Sequence, residues 1–167
     1  RWTRKKGKRA MSFADEIKQA EKEGVVGAGV WKPQEGANRI RIVAGPLRHA
    51  EEYEGKPRTK WLVLVIDRAD SVVKPYFMPH SIAKMIRDLQ QSDDYAFEST
   101  PMPYDITLNA KGAGTRDVEY GVVAARKNSE ITPEEMLLIA AFGDLADYQR
   151  KLNERKSKPA DPDEIPV

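Results

Sequence analysis

Two stretches of alternating residues joined by a glycine-rich turn constrain this chain more than any other feature. Within residues 103–126, Tyr104, Ile106 and Leu108 alternate with Asp105, Thr107 and Asn109, and beyond the turn Val118, Tyr120 and Val122 alternate with Glu119, Gly121 and Val123. A period of two with one wet side is the pattern of a half-buried strand, and two such runs close together make a β-hairpin. Between them, Gly112 and Gly114 can take positive φ at little steric cost, and Lys111 and Arg116 place a cation on each flank. A turn of that kind can lie close to a backbone phosphate, although most glycine turns flanked by lysine are only solvated.

A second group of strands lies upstream. Residues 38–44 alternate, with Ile40 and Ile42 on one side and Arg39 and Arg41 on the other; two arginines on one face are costly to bury and readily meet anions. Residues 45–60 read as a long polar loop. Residues 61–66 are almost continuously apolar, which predicts a strand covered, at least in part, on both faces. After a tight turn at 67–71, residues 72–78 return as a third strand with Lys74 and Tyr76 on one side and Val73 and Phe77 on the other, and Pro75 marks it as an edge or a bulge.

Helices fall around these strands. Pro79 opens one whose apolar stripe is Ile82, Met85, Ile86 and Leu89, followed by an acidic loop over 93–101. Thr132, Pro133 and Glu134 supply a cap, a first-turn proline and a first-turn acid for another, which Gly143 breaks before a further helix over 144–155. Near the start, Ser12 is placed to cap a short helix running to about Glu23. The expected organisation is a basic arm and short helix over 1–30, a domain over 31–126, C-terminal helices over 127–156, and a disordered, weakly acidic tail over 157–167.

Three strands, a helix and two more strands is the order of an OB-fold, a five-stranded barrel with its helix between strands three and four. The predicted fold class is therefore mainly β with added helices: that barrel, carrying helical N- and C-terminal extensions. Its ligand surface is built from strands two and three and from the loops joining strands one to two and four to five, here 45–60 and 111–117. A cationic groove attracts phosphates and aromatic faces stack on unpaired bases, so the candidate contacts to a single strand are Trp31, Arg39, Arg41, Lys60, Trp61, Lys74, Tyr76, Lys111 and Arg116. Structural roles stand beside these: Trp61 is as readily core as platform, Tyr104 and Tyr120 suit the core, and Arg39 and Arg41 could simply pair with Glu119 or Asp105 across the sheet.

Charge bears on the same point. The net charge is only +2, but residues 1–126 hold 22 Lys and Arg against 17 Asp and Glu, whereas 127–167 hold 6 against 9. Six cations and no anion fall in residues 1–9, as expected of a mobile arm. With no cysteine, disulfides, thiolate nucleophiles and cysteine zinc sites are excluded. His49 and His80 are the only histidines and neither has metal-ligand spacing, nor does the glycine turn lead into a helix as a phosphate loop does; no cofactor, metal or catalytic activity is expected. No apolar run approaches the roughly 20 residues that span a bilayer, so no membrane association is expected and the cytoplasm is the expected compartment.

The runs WLVLVIDR, VKPYFMPHSIAKMIRDL and PMPYDITLNAKGAGTRDVEYGV resemble bacteriophage single-stranded DNA-binding proteins, the replication proteins related to the T4-type helix-destabilising protein. The resemblance covers roughly residues 30–126 and is densest from Asp105 to Tyr120. It implies a non-enzymatic protein that binds single-stranded DNA during replication or recombination. It also implies cooperative self-association through the segment from Arg4 to Glu23 and recruitment of replication proteins by an acidic tail. The zinc of the T4-type protein is not carried over, because this chain has no cysteine, and the tail bearing Asp161, Asp163 and Glu164 is short. A protein-interaction module on the same barrel and an RNA-binding protein are the alternative readings.

Overall fold

The computed structural model of the chain describes residues 13, 29–125, 127 and 129–157. Apart from Phe13, which is helical, the expected basic arm and first helix lie outside them, as does the tail beyond 157. The strands are β1 (Gly36–Tyr53), β2 (Lys56–Asp67), β3 (Val72–Pro79), β4 (Ile106–Lys111) and β5 (Glu119–Ala124); the helices are α1 (His80–Gln90), α2 (Pro133–Phe142) and α3 (Leu145–Ser157). The fold is mainly β: one open, antiparallel five-stranded sheet in the order β3-β2-β1-β4-β5, with three helices.

β1 is the strand on which the sheet turns. Its first residues, Gly36 to Ile40, pair with β4, and from Ile40 onward it pairs with β2. Between Ile42 and Leu47 the register slips, and at the slip Gly45 takes a φ of 96°. A Cβ there would lie 2.6 Å from the Leu62 carbonyl oxygen, so only glycine lets β1 pass this close to β2.

Beyond the slip the structure corrects one expectation. Residues 45–60 are not a polar loop. They are the far halves of β1 and β2, running in register from Leu47 opposite Leu62 to Tyr53 opposite Lys56 and joined by Glu54 and Gly55. Both turn residues have positive φ, 51° and 77°, as a two-residue hairpin turn of the primed type requires. Along β1 the cover still alternates, with Leu47, His49 and Glu51 at least half-buried and Arg48, Ala50 and Glu52 wet, but the covered residues are not an apolar series and Lys56 to Thr59 of β2 are all wet, so the apolar–polar alternation that betrays a strand is missing.

β2 explains its own apolar run. Leu62 to Ile66 are all buried, with Val63 and Val65 on one face and Leu62, Leu64 and Ile66 on the other. The first face packs with Ile40, Ile42, Ile106 and Leu108 under α1, whose Ile82 is fully buried. The second is covered by α2 and α3 through Leu138, Ile139, Phe142, Leu145 and Tyr148. Fully burying one such aliphatic side chain contributes about 1.5–3 kcal/mol, so the C-terminal helices complete the core rather than decorate it.

The edges follow from local chemistry. Pro75 sits in β3 where its carbonyl accepts from the Trp31 amide at 2.7 Å, pointing away from β2, so its missing N–H removes no ladder bond. α2 begins at a reciprocal cap: the Glu135 amide donates to Thr132 Oγ1 at 3.1 Å, and the Thr132 amide to Glu135 Oε1 at 2.9 Å. Among the described residues no helix is long and apolar enough to cross a membrane.

Candidate nucleic-acid interface

The β1–β2 arm and the β4–β5 turn approach each other across the gap between the two sheet edges. Arg116 on the turn lies 3.9 Å from Glu54 at the tip of the arm, with 83% and 66% of the two side chains exposed. Screening makes such a pair weak, so it marks proximity rather than stability. The arm is rich in cations. Arg58 lies over the Tyr53 ring at 4.7 Å, Arg48 over Trp61 at 5.9 Å, and Lys60 is 3.5 Å from Glu51.

In the β4–β5 turn, Gly112 and Gly114 have φ of 78° and 81°, the freedom expected of them. Thr115 closes the turn, its amide and hydroxyl donating to the Gly112 carbonyl at 3.1 and 2.6 Å. The amides of Gly112 and Ala113 point outward together, and both donate to the Glu35 carboxylate at 2.9 Å.

Between arm and turn lie two adjoining clefts. One, of about 360 Å³, is lined by Trp31, Lys32, Lys60, Tyr76, Gly114 and Tyr120 among others. The other, of about 520 Å³, is lined by Arg58, Lys60, His80, Ser81 and Tyr120 among others. Sharing Lys60, Pro79 and Tyr120, they form one groove lined by Lys32, Arg58 and Lys60, by the Glu51 carboxylate and by aromatic residues of which Tyr120 is the half-buried one common to both clefts.

The predicted contacts divide. Lys111 and Arg116 are exposed on the turn, Lys60 lines the groove, and Lys74 is half-buried on β3. Trp61 is half-buried, and its Nε1 donates to His80 Nδ1 at 3.0 Å. Trp31 and Tyr76 are each only 4% exposed and pack edge to face with ring centroids 4.8 Å apart. Trp31 Nε1 also donates to Asp67 Oδ2 at 2.9 Å. Neither ring offers the free face expected of a stacking platform, because the segment entering β1 folds back along β3 and seals them together. The Tyr76 hydroxyl is buried with no hydrogen-bond partner, and burial together with nearby Tyr120 holds the phenol far above its ordinary range, so it stays neutral.

Arg39 and Arg41 are not brought into the groove. Their Nε atoms donate to the two oxygens of Asp105, at 3.0 and 2.7 Å, and Asp105 is fully buried. Arg68 approaches the same carboxylate at 3.4 Å and reaches Glu135 Oε1 at 2.6 Å. The Nη2 atoms of Arg39 and Arg41 donate to the carbonyls of Lys127 and Ser129, and Arg41 Nη1 donates to the Met102 carbonyl at 3.5 Å. Three arginines and two carboxylates thus clasp the segment leading into α2 to the sheet, and the cross-sheet pairing with Asp105 is the role these arginines play. Burial works to raise the Glu135 carboxyl, but the Thr132 amide and Arg68 outweigh it and hold the group below the usual carboxylate value.

Arg48, Tyr53, Arg58, His80, Tyr120 and Glu35 belong to the interface region without having been singled out as contacts. The only sequence signal for the first three was the Glu54–Gly55 pair between runs of similar length, which would have revealed the arm. Among the described residues no group of three or more His, Asp or Glu side chains is placed to hold a metal ion. No protein-family model, no curated protein and no solved structure matches the chain.

Proposed function

We propose that this chain binds single-stranded DNA without strong sequence preference, on a barrel of the OB type, as a helix-destabilising protein of replication or recombination. The observation that carries the reading is the groove where the β1–β2 arm meets the β4–β5 turn, with Lys32, Arg58 and Lys60 placed for phosphates and Tyr120 beside them for bases. Supporting the barrel assignment are the central position of β1, paired with both β2 and β4, and the helix inserted between β3 and β4. Strands would be held open by preferential binding to the unpaired form, a linkage effect that needs no nucleotide hydrolysis. Self-association through residues 1–30 and recruitment of replication proteins through the tail belong to the same proposal, on segments outside the described residues.

The test is a titration of the full chain with an oligo(dT) strand, the corresponding duplex and an oligo(U) strand, at low and moderate salt, read by tryptophan fluorescence. Tight, salt-sensitive binding to the single strand over the duplex is expected, since each phosphate neutralised on a single strand adds about 0.7 to the log–log salt slope. Equal or tighter binding to oligo(U) would move the reading to RNA, and no binding to any of the three would sink it.

A second reading has its own observation. On α2, Met136 and Leu137 are 56% and 71% exposed, an apolar surface on the helix side opposite Leu138 and Ile139. That surface favours a protein partner for the C-terminal helices, whether or not the groove holds a nucleic acid.

A further inference from the structure

The β4–β5 turn already holds an anion, and it is the protein's own. Successive backbone N–H groups that converge from a turn with glycines at positive φ make an anion-binding concavity. Here the Gly112 and Ala113 amides donate to Glu35 Oε1 at 2.9 Å each, and Gly112 also reaches Oε2 at 3.3 Å. Glu35 is solvent-exposed and arrives from 77 residues away in sequence, so the carboxylate is not part of the turn's own folding. A phosphate oxygen satisfies the same two donors, and exposed Lys111 and Arg116 flank it.

A second, independent sign lies in the cleft that Ala113 and Gly114 border. Its wall includes Tyr76, whose buried hydroxyl has no partner in this conformation, a rarity among buried polar groups in native proteins. Tyr120, on the edge strand β5, lines the same cleft and lies near Tyr76. The cleft, about 360 Å³, falls in the range that takes a small planar ligand.

The geometry points to a nucleotide subsite between β3 and the β4–β5 turn, in which a strand phosphate displaces Glu35 from the Gly112 and Ala113 amides while the attached base enters toward Tyr76. Glu35 is then an intramolecular competitor that sets the apparent affinity of the groove. This inference rests on the single-strand reading and adds to it a defined phosphate position, a base position and a built-in brake. Because Glu35 is tethered beside the turn, its local concentration is high, and the ligand must first empty the site.

The test compares wild type with Glu35→Gln, which keeps the side chain's size and a neutral acceptor, and with Tyr76→Phe, which keeps the ring. Oligo(dT) should bind Glu35→Gln about 3- to 10-fold more tightly, the factor by which a site blocked most of the time lowers apparent affinity. In amide NMR spectra, Gly112 and Ala113 should shift with oligo(dT) in both proteins, and at lower concentration in the variant. Tyr76→Phe should weaken oligo(dT) binding but leave binding to an abasic sugar-phosphate strand unchanged. Unchanged or weaker binding by Glu35→Gln, with wild type still binding in a salt-sensitive way, would show that Glu35 is a strut and overturn the subsite alone. Unmoved Gly112 and Ala113 amides would do the same for the phosphate position, and equal losses on both strands by Tyr76→Phe for the base position. Failure of both wild type and Glu35→Gln to bind oligo(dT) would remove the single-strand reading and this inference together.

Discussion

Arg41 donates from Nε to Asp105 Oδ1 at 2.7 Å, and the two side chains are 5% and 0% exposed, so an ion pair lies inside a sheet whose alternation marks both positions as wet. With Arg39 and Arg68 converging on the same carboxylate, Asp105 balances three guanidiniums. Removing one partner of a buried pair leaves an uncompensated charge, which typically costs about 3–5 kcal/mol. Asp105→Asn is expected to lower the unfolding free energy by that order, moving the urea midpoint down without changing the slope of the transition, because what is lost is charge balance and not compactness. A midpoint equal to wild type would mean that water enters the cluster freely.

Glu135 gives the cluster a pH signature. Its carboxyl titrates below the ordinary glutamate value when folded, so the stabilisation it confers is complete above that ordinary value and is lost as pH falls through the lower folded one. Unfolding free energy should therefore drop on the acid side of the ordinary glutamate range. In Glu135→Gln that part of the drop should be missing. The variant should be less stable than wild type at neutral pH, with the gap narrowing as the acid limb is descended; denaturant titrations at several pH values measure it. A gap that stays constant would place Glu135 outside the linkage.

The two halves of the molecule differ in how plainly their residues announce them. Where a strand has one face on a core, as at Ile106 and Leu108, the period of two is written in the residues. Where it has both, as over Leu62 to Ile66, the unbroken apolar run is just as plain. In the arm beyond Leu47 the covered positions of β1 are His49 and Glu51 rather than apolar residues, so no apolar period distinguishes it from a loop, and only the turn residues Glu54 and Gly55 mark it. Asp105 was misleading for the opposite reason. Its face is covered not by the sheet alone but by the arginines that reach across it to Lys127, Ser129 and Glu135, a tertiary event that no local pattern encodes. The same limit hid Glu35, whose partners lie 77 residues away.

Gly45 should be irreplaceable in a way that Gly36 is not. Both have φ of 96°, but a Cβ at Gly45 would meet the Leu62 carbonyl oxygen at 2.6 Å, whereas nothing lies within 4 Å of one at Gly36. Each alanine substitution carries the backbone strain of about 1–3 kcal/mol expected for such a conformation. Gly45→Ala carries in addition the separation of β1 from β2 at the register slip. Thermal melts of the two variants should therefore differ, with Gly45→Ala the lower. Equal melting temperatures would mean that the slip can relax elsewhere along β1.

Arg39 and Arg58 supply the sharpest contrast, because the same substitution should have opposite signatures at the two positions. Arg39 belongs to the internal cluster, bonded to Asp105 and to the Lys127 carbonyl. Arg58 stands on the exposed arm, over the Tyr53 ring and at the wall of the groove. Arg39→Ala should lower stability in urea and, in conditions where the protein remains folded, leave the salt slope of oligo(dT) binding as it was. Arg58→Ala should leave stability within about 0.5 kcal/mol, as for surface substitutions in general. It should also reduce the salt slope by about 0.7, the share of one phosphate on a single strand, with a similar loss for every base composition. If instead Arg39→Ala flattened the slope and Arg58→Ala did not, the ligand would be meeting the arginine cluster beside Lys127 and Ser129, and the groove between the arm and the turn would lose its claim to the strand.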